Sequence, residues 1–313
     1  MGPLIWTLLG VAALALTVYF LFCALLVRKF LARKPDHTKQ SLDRLCQGPY
    51  GEMVRQERDW YPARPWEDVF AESYDGLRLH GRYLAQKDPR GTLLLVHGFH
   101  SSGWADFSCV LRSYFELGFD LLVIDQRAHL QSGGQYLTMG IRERYDVRTW
   151  CLWLLERFGE GRRVVLDGLS MGATTVLLAA GLDLPKNVCG VIADCGFTSP
   201  RDIFLAVMKD RYHIPTCFLW GAGLCCRVMA GFSMDEASTV DALRHCTLPL
   251  LLVHGEADDF VPCSMTRAVY EAAGCEKTLL TVPGAGHGMS FLVEHDRLYA
   301  ALVDFLDKHC PRD

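Results

Sequence analysis

The chain has 313 residues, half of them apolar, and a formal net charge of −4. That length supports a large buried core, and an α/β domain of roughly 250 residues folds as one unit. Lysine and arginine are scattered, with no basic stripe interleaved with aromatics, which argues against a nucleic-acid-binding surface.

The first predicted element is a membrane span. "LIWTLLGVAALALTVYFLFCALLV" (Leu4 to Val27) carries no charge. As a helix it reaches about 36 Å, against a hydrocarbon core of about 30 Å. Arg28, Lys29, Arg33 and Lys34 follow at once. A secretory signal would have a basic start and a shorter apolar core, and a helix in a soluble core would be interrupted by polar residues. Residues 1–34 therefore read as a transmembrane anchor with a basic flank. The positive-inside rule puts the rest of the chain on the cytoplasmic face. The 13 cysteines agree. Their count is odd, Cys225 and Cys226 are adjacent, and most sit in apolar runs, with neither C-x-x-C nor zinc spacing. They read as small buried hydrophobes in a reducing compartment, packing being the expected role even for Cys195 and Cys263, which lie nearest the candidate site loops.

Residues 35–66 read as a polar linker with one short helix, stopped by Pro62 and Pro65. From 67 to 313 the period changes. Two strands flank an Asp75-Gly76 turn, a hairpin signal. Continuous apolar runs then alternate with helical patterns: Thr92 to Gly98, Asp120 to Asp125, "RVVLDG", Gly190 to Cys195, Pro249 to Gly255 and Lys277 to Gly284. Between them "WADFSCVLRSYFELG" reads as a helix, and "RERYDVRTWCLWLLERFG" puts Val147, Cys151, Leu154, Leu155 and Phe158 on one helical face. This pattern predicts an α/β fold, a mostly parallel eight-stranded sheet with helices on both faces.

"DGLSMG" (Asp167 to Gly172) ends one such strand and opens a helix. Ligands of a parallel sheet bind at the carboxyl ends of its strands. A sharp turn there lifts the Ser170 hydroxyl above the sheet and leaves no room for side chains at 168 and 172. The string is G-x-S-x-G in strand–turn–helix context, a nucleophile elbow. Alone, the string also fits a βα turn with a capping serine, the lesser alternative. It is not alone, because two other strand ends supply what a serine nucleophile needs, a base and a group to orient that base. "HGEADDFVP" presents Asp258 and Asp259, and "VPGAGHGM" presents His287. Ser170, Asp258 and His287 fall in the Ser…Asp…His order of this motif class. The oxyanion donors are expected from the N–H of Met171, just after the serine, and of Phe99 in "LLLVHGFHSSG". His97 reads as a structural histidine of that loop; His100 faces either substrate or solvent.

These segments, with "DGLRLHG", "VIDQRAHLQSGG", "IRERYDV", "ADCGFTSP" and "GAGHGMS", resemble α/β-hydrolases of the serine aminopeptidase-like branch, close to bacterial membrane-associated hydrolases. The resemblance runs from about Trp66 to Phe305. It implies nucleophile Ser170, acid Asp258 with Asp259 as runner-up, base His287, and donors Phe99 and Met171. One loop departs: "D-x-R-G-H-G-x-S" becomes "DQRAHLQS", with Ala128 and Leu130 where glycines are common. Asp125 and Arg127 remain and are expected to stabilise that loop, while the departure reshapes the pocket wall nearby.

Residues 200–240 are too long for a simple crossover. Their apolar middle, with Phe218, Leu219, Trp220, Met229 and Phe232, is either core-packed crossover helices or a small lid lining an acyl pocket. The expected activity is hydrolysis of a carboxylic ester or thioester through an acyl-enzyme, with a small-molecule or lipid acyl substrate and no metal or organic cofactor. A peptidase, an acyltransferase and a non-catalytic scaffold remain alternatives.

Overall fold

The computed structural model describes residues 2–312. Its helices in chain order are α1 (Pro3–Leu31), α2 (Thr38–Cys46), α3 (Gly51–Trp60), α4 (Gly103–Asp106), α5 (Leu111–Glu116), α6 (Glu143–Phe158), α7 (Met171–Ala180), α8 (Pro200–Ala206), α9 (Phe218–Cys225), α10 (Thr239–Ala242), α11 (Cys263–Ala272), α12 (Ser290–Val293) and α13 (His295–His309). The strands are β1 (Glu67–Glu72), β2 (Arg78–Leu84), β3 (Thr92–Val96), β4 (Asp120–Asp125), β5 (Val164–Leu169), β6 (Val188–Asp194), β7 (Leu250–Gly255) and β8 (Lys277–Val282). They form one sheet in the order β1-β2-β4-β3-β5-β6-β7-β8. β2 pairs antiparallel with both β1 and β4; the rest is parallel.

The apolar runs become central strands because both faces are covered. Successive side chains of a strand point to opposite faces. Leu94, Val96, Leu122 and Ile124 pack against α6 and α7, while Leu93, Leu95, Leu121 and Val123 pack against α5 and α13. The expected fold class and the hairpin are both present.

Two elements differ from their sequence patterns. The single helix expected from Trp104 is split into α4 and α5. The Ser108 hydroxyl donates to the Ala105 carbonyl at 2.8 Å, a local bond that competes with helix continuation, and the break lets Phe107 and Val110 both enter the core. Residues 35–66 are no loose linker. They form α2 and α3 and a 3-10 turn, docked through Leu42, Cys46 and Val54 onto Ala105 and Leu292. The N-cap residues, His37 and Tyr50, give no side-chain cap bond, so the usual sequence signal for a helix N-terminus is missing at those positions.

α1 is long and apolar enough to cross a membrane. Residues 3–18 are exposed, but Cys23, Val27 and Leu31 are buried against the domain. The segment from 200 to 242 comprises α8, a wide π-type turn (Val207–Arg211), α9, a second such turn (Cys226–Ala230) and α10. Its Ile203, Met208, Leu219 and Phe232 share one apolar cluster with Met171 and the end of α1. The segment is thus both packed and, as shown below, pocket-lining.

Candidate active site

The site is assembled at the carboxyl ends of β3, β5, β7 and β8. After β5, Ser170 adopts φ +58° and ψ −116°, a strained conformation costing about 1–3 kcal/mol. Its N–H donates to the Asp194 carbonyl at 2.8 Å, at the end of neighbouring β6. The flanking glycines have a steric cause. A Cβ on Gly168 would lie 2.3 Å from the Gly172 carbonyl oxygen, and one on Gly172 would lie 1.8 Å from that of Val96. Backbone crosses backbone here, so no side chain fits at either position.

His287, beyond β8, reaches both partners. Its Nε2 lies 2.9 Å from Ser170 Oγ and its Nδ1 lies 2.7 Å from Asp258 Oδ2. The other carboxylate oxygen of Asp258 accepts from the Phe260 and Val261 N–H groups at 2.9 and 2.8 Å. Asp258 has no exposed side-chain surface, whereas Asp259 is 84% exposed and faces Arg211 at 3.9 Å. Of the two candidate carboxylates, only Asp258 meets the imidazole. Burial alone would raise the pKa of Asp258, but hydrogen bonds from His254 and His287 hold it well below the usual carboxylate range.

Phe99 and Met171 line an apolar pocket together with Ser170. Among the described residues, neither backbone N–H donates to another protein group. The Phe99 loop is set from behind by Asp106, which sequence reasoning missed. Asp106 accepts from the Gly98 N–H at 2.6 Å and from the Ser101 hydroxyl at 2.5 Å, and burial raises its pKa. A carboxylate eight residues past Gly98 forms no recognisable motif, so only the fold reveals it. His97 is structural, as expected. It bonds the Gly98 carbonyl and accepts from the Gln126 N–H at 3.1 Å, and burial draws its pKa down to about 3, which keeps it neutral. His100 is half-buried and packs against the end of α1. Its Nε2 is 2.8 Å from the Phe30 carbonyl in the last turn of α1.

The departing loop holds the end of α1, which walls the pocket. Ala128 and Leu130 keep positive φ, +60° and +40°, although they are not glycine. The loop receives the end of α1: Arg33 bonds the carbonyls of Leu130 and Ser132, and the Leu137 N–H bonds the Leu31 carbonyl at 3.0 Å. Asp125 and Arg127 do support it, though through separate partners. Asp125 meets His80 at 2.6 Å. Arg127 forms a two-bond pair with buried Asp146, each bond 2.7 Å, and also reaches Asp75 of the hairpin turn.

Two spaces meet at Ser170. One is a narrow apolar pocket of about 90 Å³, walled by Met139, Phe197, Ile203 and Met208, and by Leu26, Val27 and Phe30 of α1. The other is an open polar cleft with Arg44 of α2, Ser101, Asp106, Arg211 and His287 on its walls. The cleft, about 670 Å³, is in the size range of ligand sites, whereas the apolar pocket is a narrow slot. Cys195, Asp258 and His287 offer ligand atoms within 4.8 Å of one another. Those of Asp258 and His287 are committed to hydrogen bonds, and burial with nearby Asp194 and Asp258 raises the Cys195 thiol well above its ordinary pKa. These residues fit a hydrogen-bonded relay above a packed thiol, not a cation's ligand set.

Residues 93–302 match the family model described as "Alpha/beta hydrolase family". The chain belongs to the alpha/beta hydrolase family. Relatives of this hydrolase include YqkD of Bacillus subtilis, 26% identical over 233 residues, covering 74% of this chain and 76% of that one. Another is the alpha/beta hydrolase domain-containing protein WAV2 of Arabidopsis thaliana, 24% identical over 271 residues, covering 80% and 83%. Among solved structures, the esterase Pf2001 of Pyrococcus furiosus has the same fold, with TM-score 0.64 at 23% identity, over 79% of this chain and 92% of that chain.

Proposed function

We propose that this alpha/beta hydrolase is a serine esterase that cleaves carboxylic esters with apolar acyl groups, thioesters being the next class, through a covalent acyl-enzyme. The observation that carries the reading is the position of His287, within hydrogen-bond reach of the Ser170 hydroxyl on one side and buried Asp258 on the other. Asp258, held ionised, accepts a hydrogen bond from Nδ1–H, which fixes the ring proton there and leaves Nε2 free to accept. Nε2 takes the Ser170 proton as Oγ attacks the substrate carbonyl. The resulting oxyanion is met by the N–H groups of Phe99 and Met171. Collapse breaks the bond to the leaving oxygen or sulfur, which takes the proton from His287. Water then attacks the acyl-enzyme, giving its proton to His287, and the acid leaves as Ser170 regains a proton.

The apolar walls support an apolar acyl group, and the polar cleft on the other side of Ser170 suits the leaving group. The length and uncharged composition of α1 and the basic residues after it support a single membrane span with the hydrolase on the cytoplasmic side.

A fluorophosphonate probe tests the chemistry. Wild type should label and Ser170→Ala should not, with both folded by circular dichroism. A folded wild type that never labels would remove the reading. Retention in the membrane pellet until detergent is added tests the anchor.

A further inference from the structure

α1 has two jobs in this molecule. Residues 3–18, the freely exposed part, make about 24 Å of helix, short of a hydrocarbon core of about 30 Å. Reaching 30 Å takes the span to Phe22. That last turn is where the lid packs. Tyr19 donates its hydroxyl to the Cys217 carbonyl at 2.7 Å, and the rings of Phe22 and Phe218 meet edge-on at 4.7 Å. Gly221 of α9 makes the close approach possible, since a Cβ there would lie 2.6 Å from Cys23 Sγ. Small residues at such a crossing are typical of helices that associate in membranes.

The outer face of the lid continues the apolar surface. Trp220, Leu224 and Val228 are 68%, 41% and 78% exposed. They recur at intervals of four, on one side of the lid, and the Trp220 ring meets Phe20 of α1 tilted, with centroids 5.9 Å apart. Such an exposed stripe is costly in water and favourable in hydrocarbon. Just beyond, Lys29 lies within 6 Å of the Phe30 and Tyr212 rings, a basic–aromatic grouping suited to the headgroup level. Inward from that same end of α1, Leu26, Val27 and Phe30 form a wall of the pocket that holds Ser170.

We propose that the acyl pocket is loaded from the bilayer. The lid lies at hydrocarbon depth beside α1, the substrate is a membrane lipid carrying a long-chain acyl ester, and the tail enters along α1 while the polar part stays in the cleft of Arg44 and Arg211. The proposal rests on the serine-esterase reading above and adds the source of the substrate and the wall that selects it.

The test uses the full chain reconstituted in phosphatidylcholine vesicles. 4-Methylumbelliferyl palmitate is dissolved in the bilayer and the butyrate ester is supplied in water. Two variants are compared with wild type: Trp220→Ser with Val228→Ser on the outer lid face, and Val27→Trp in the pocket wall. The ratio of palmitate to butyrate turnover is read, so partial loss of folded protein cancels. Each variant should lower that ratio tenfold or more. An unchanged ratio in both, or a wild type that cleaves butyrate and ignores palmitate, overturns bilayer loading and leaves the esterase standing. No turnover of either ester together with no fluorophosphonate labelling would instead remove the esterase reading itself.

Discussion

Asp258→Asn separates the proposed chemistry from a mere likeness of fold. One oxygen of Asp258 accepts from the Phe260 and Val261 N–H groups, and an asparagine carbonyl can keep both bonds. The amide NH2 then replaces the oxygen that now lies 2.7 Å from His287 Nδ1. An NH2 group only donates, so Nδ1 must accept, and the ring proton moves to Nε2, the nitrogen facing Ser170 Oγ. A protonated Nε2 cannot take the serine proton. In Ser-His-Asp arrangements this change lowers kcat by about 10⁴, roughly 5 kcal/mol of barrier. The melting temperature should fall by only a few degrees, because both backbone bonds survive and the loss is confined to the contacts of that one oxygen with His287 and His254. Steady-state hydrolysis of 4-methylumbelliferyl butyrate reads the effect, with Asp259→Asn as comparison. The exposed Asp259 side chain makes no contact with the imidazole, so that variant should keep kcat within about twofold, as surface substitutions usually do. A tenth or more of wild-type kcat left in Asp258→Asn, or an equal fall in Asp259→Asn, would refute the reasoning.

Asp106→Ala removes the acceptor of the Gly98 N–H and loosens the loop that aims Phe99. A lost oxyanion donor costs about 3 kcal/mol; a displaced one should lower kcat about 10- to 100-fold with KM little changed, and a matching rise in KM would argue against a positioning role. Arg127→Met strands the buried Asp146 carboxylate, and breaking such a pair costs about 3–5 kcal/mol; a loss under about 1 kcal/mol in urea titration would contradict it. Glu57 is pushed up to about 7 by burial, only partly offset by the Arg112 N–H at 3.0 Å. Its folded pKa exceeds the unfolded value of about 4.3, so stability contributed through this group is full below about pH 4 and is lost as pH rises to about 7. Glu57→Gln should therefore melt higher than wild type at pH 8 by more than it does at pH 4, and a difference independent of pH would contradict the assignment.

Much of the molecule was legible in the residues alone, and the reasons are local. Continuous apolar runs dictate strands covered on both faces, because both sets of alternating side chains must leave water. Gly168 and Gly172 announce a crossing of backbones before any coordinate is known. The uncharged run before Arg28 announces a helix long and apolar enough to cross a membrane. Local rules could not choose between Asp258 and Asp259, adjacent in sequence and alike in chemistry. Only the path of the turn after β7 buries one against His287 and leaves the other beside Arg211 in solvent. The contact of His100 with Phe30 and the entry of Leu26, Val27 and Phe30 into the pocket wall join segments distant in the chain. They depend on how α1 packs against the lid, and packing is a property of three-dimensional neighbours that sequence spacing does not encode.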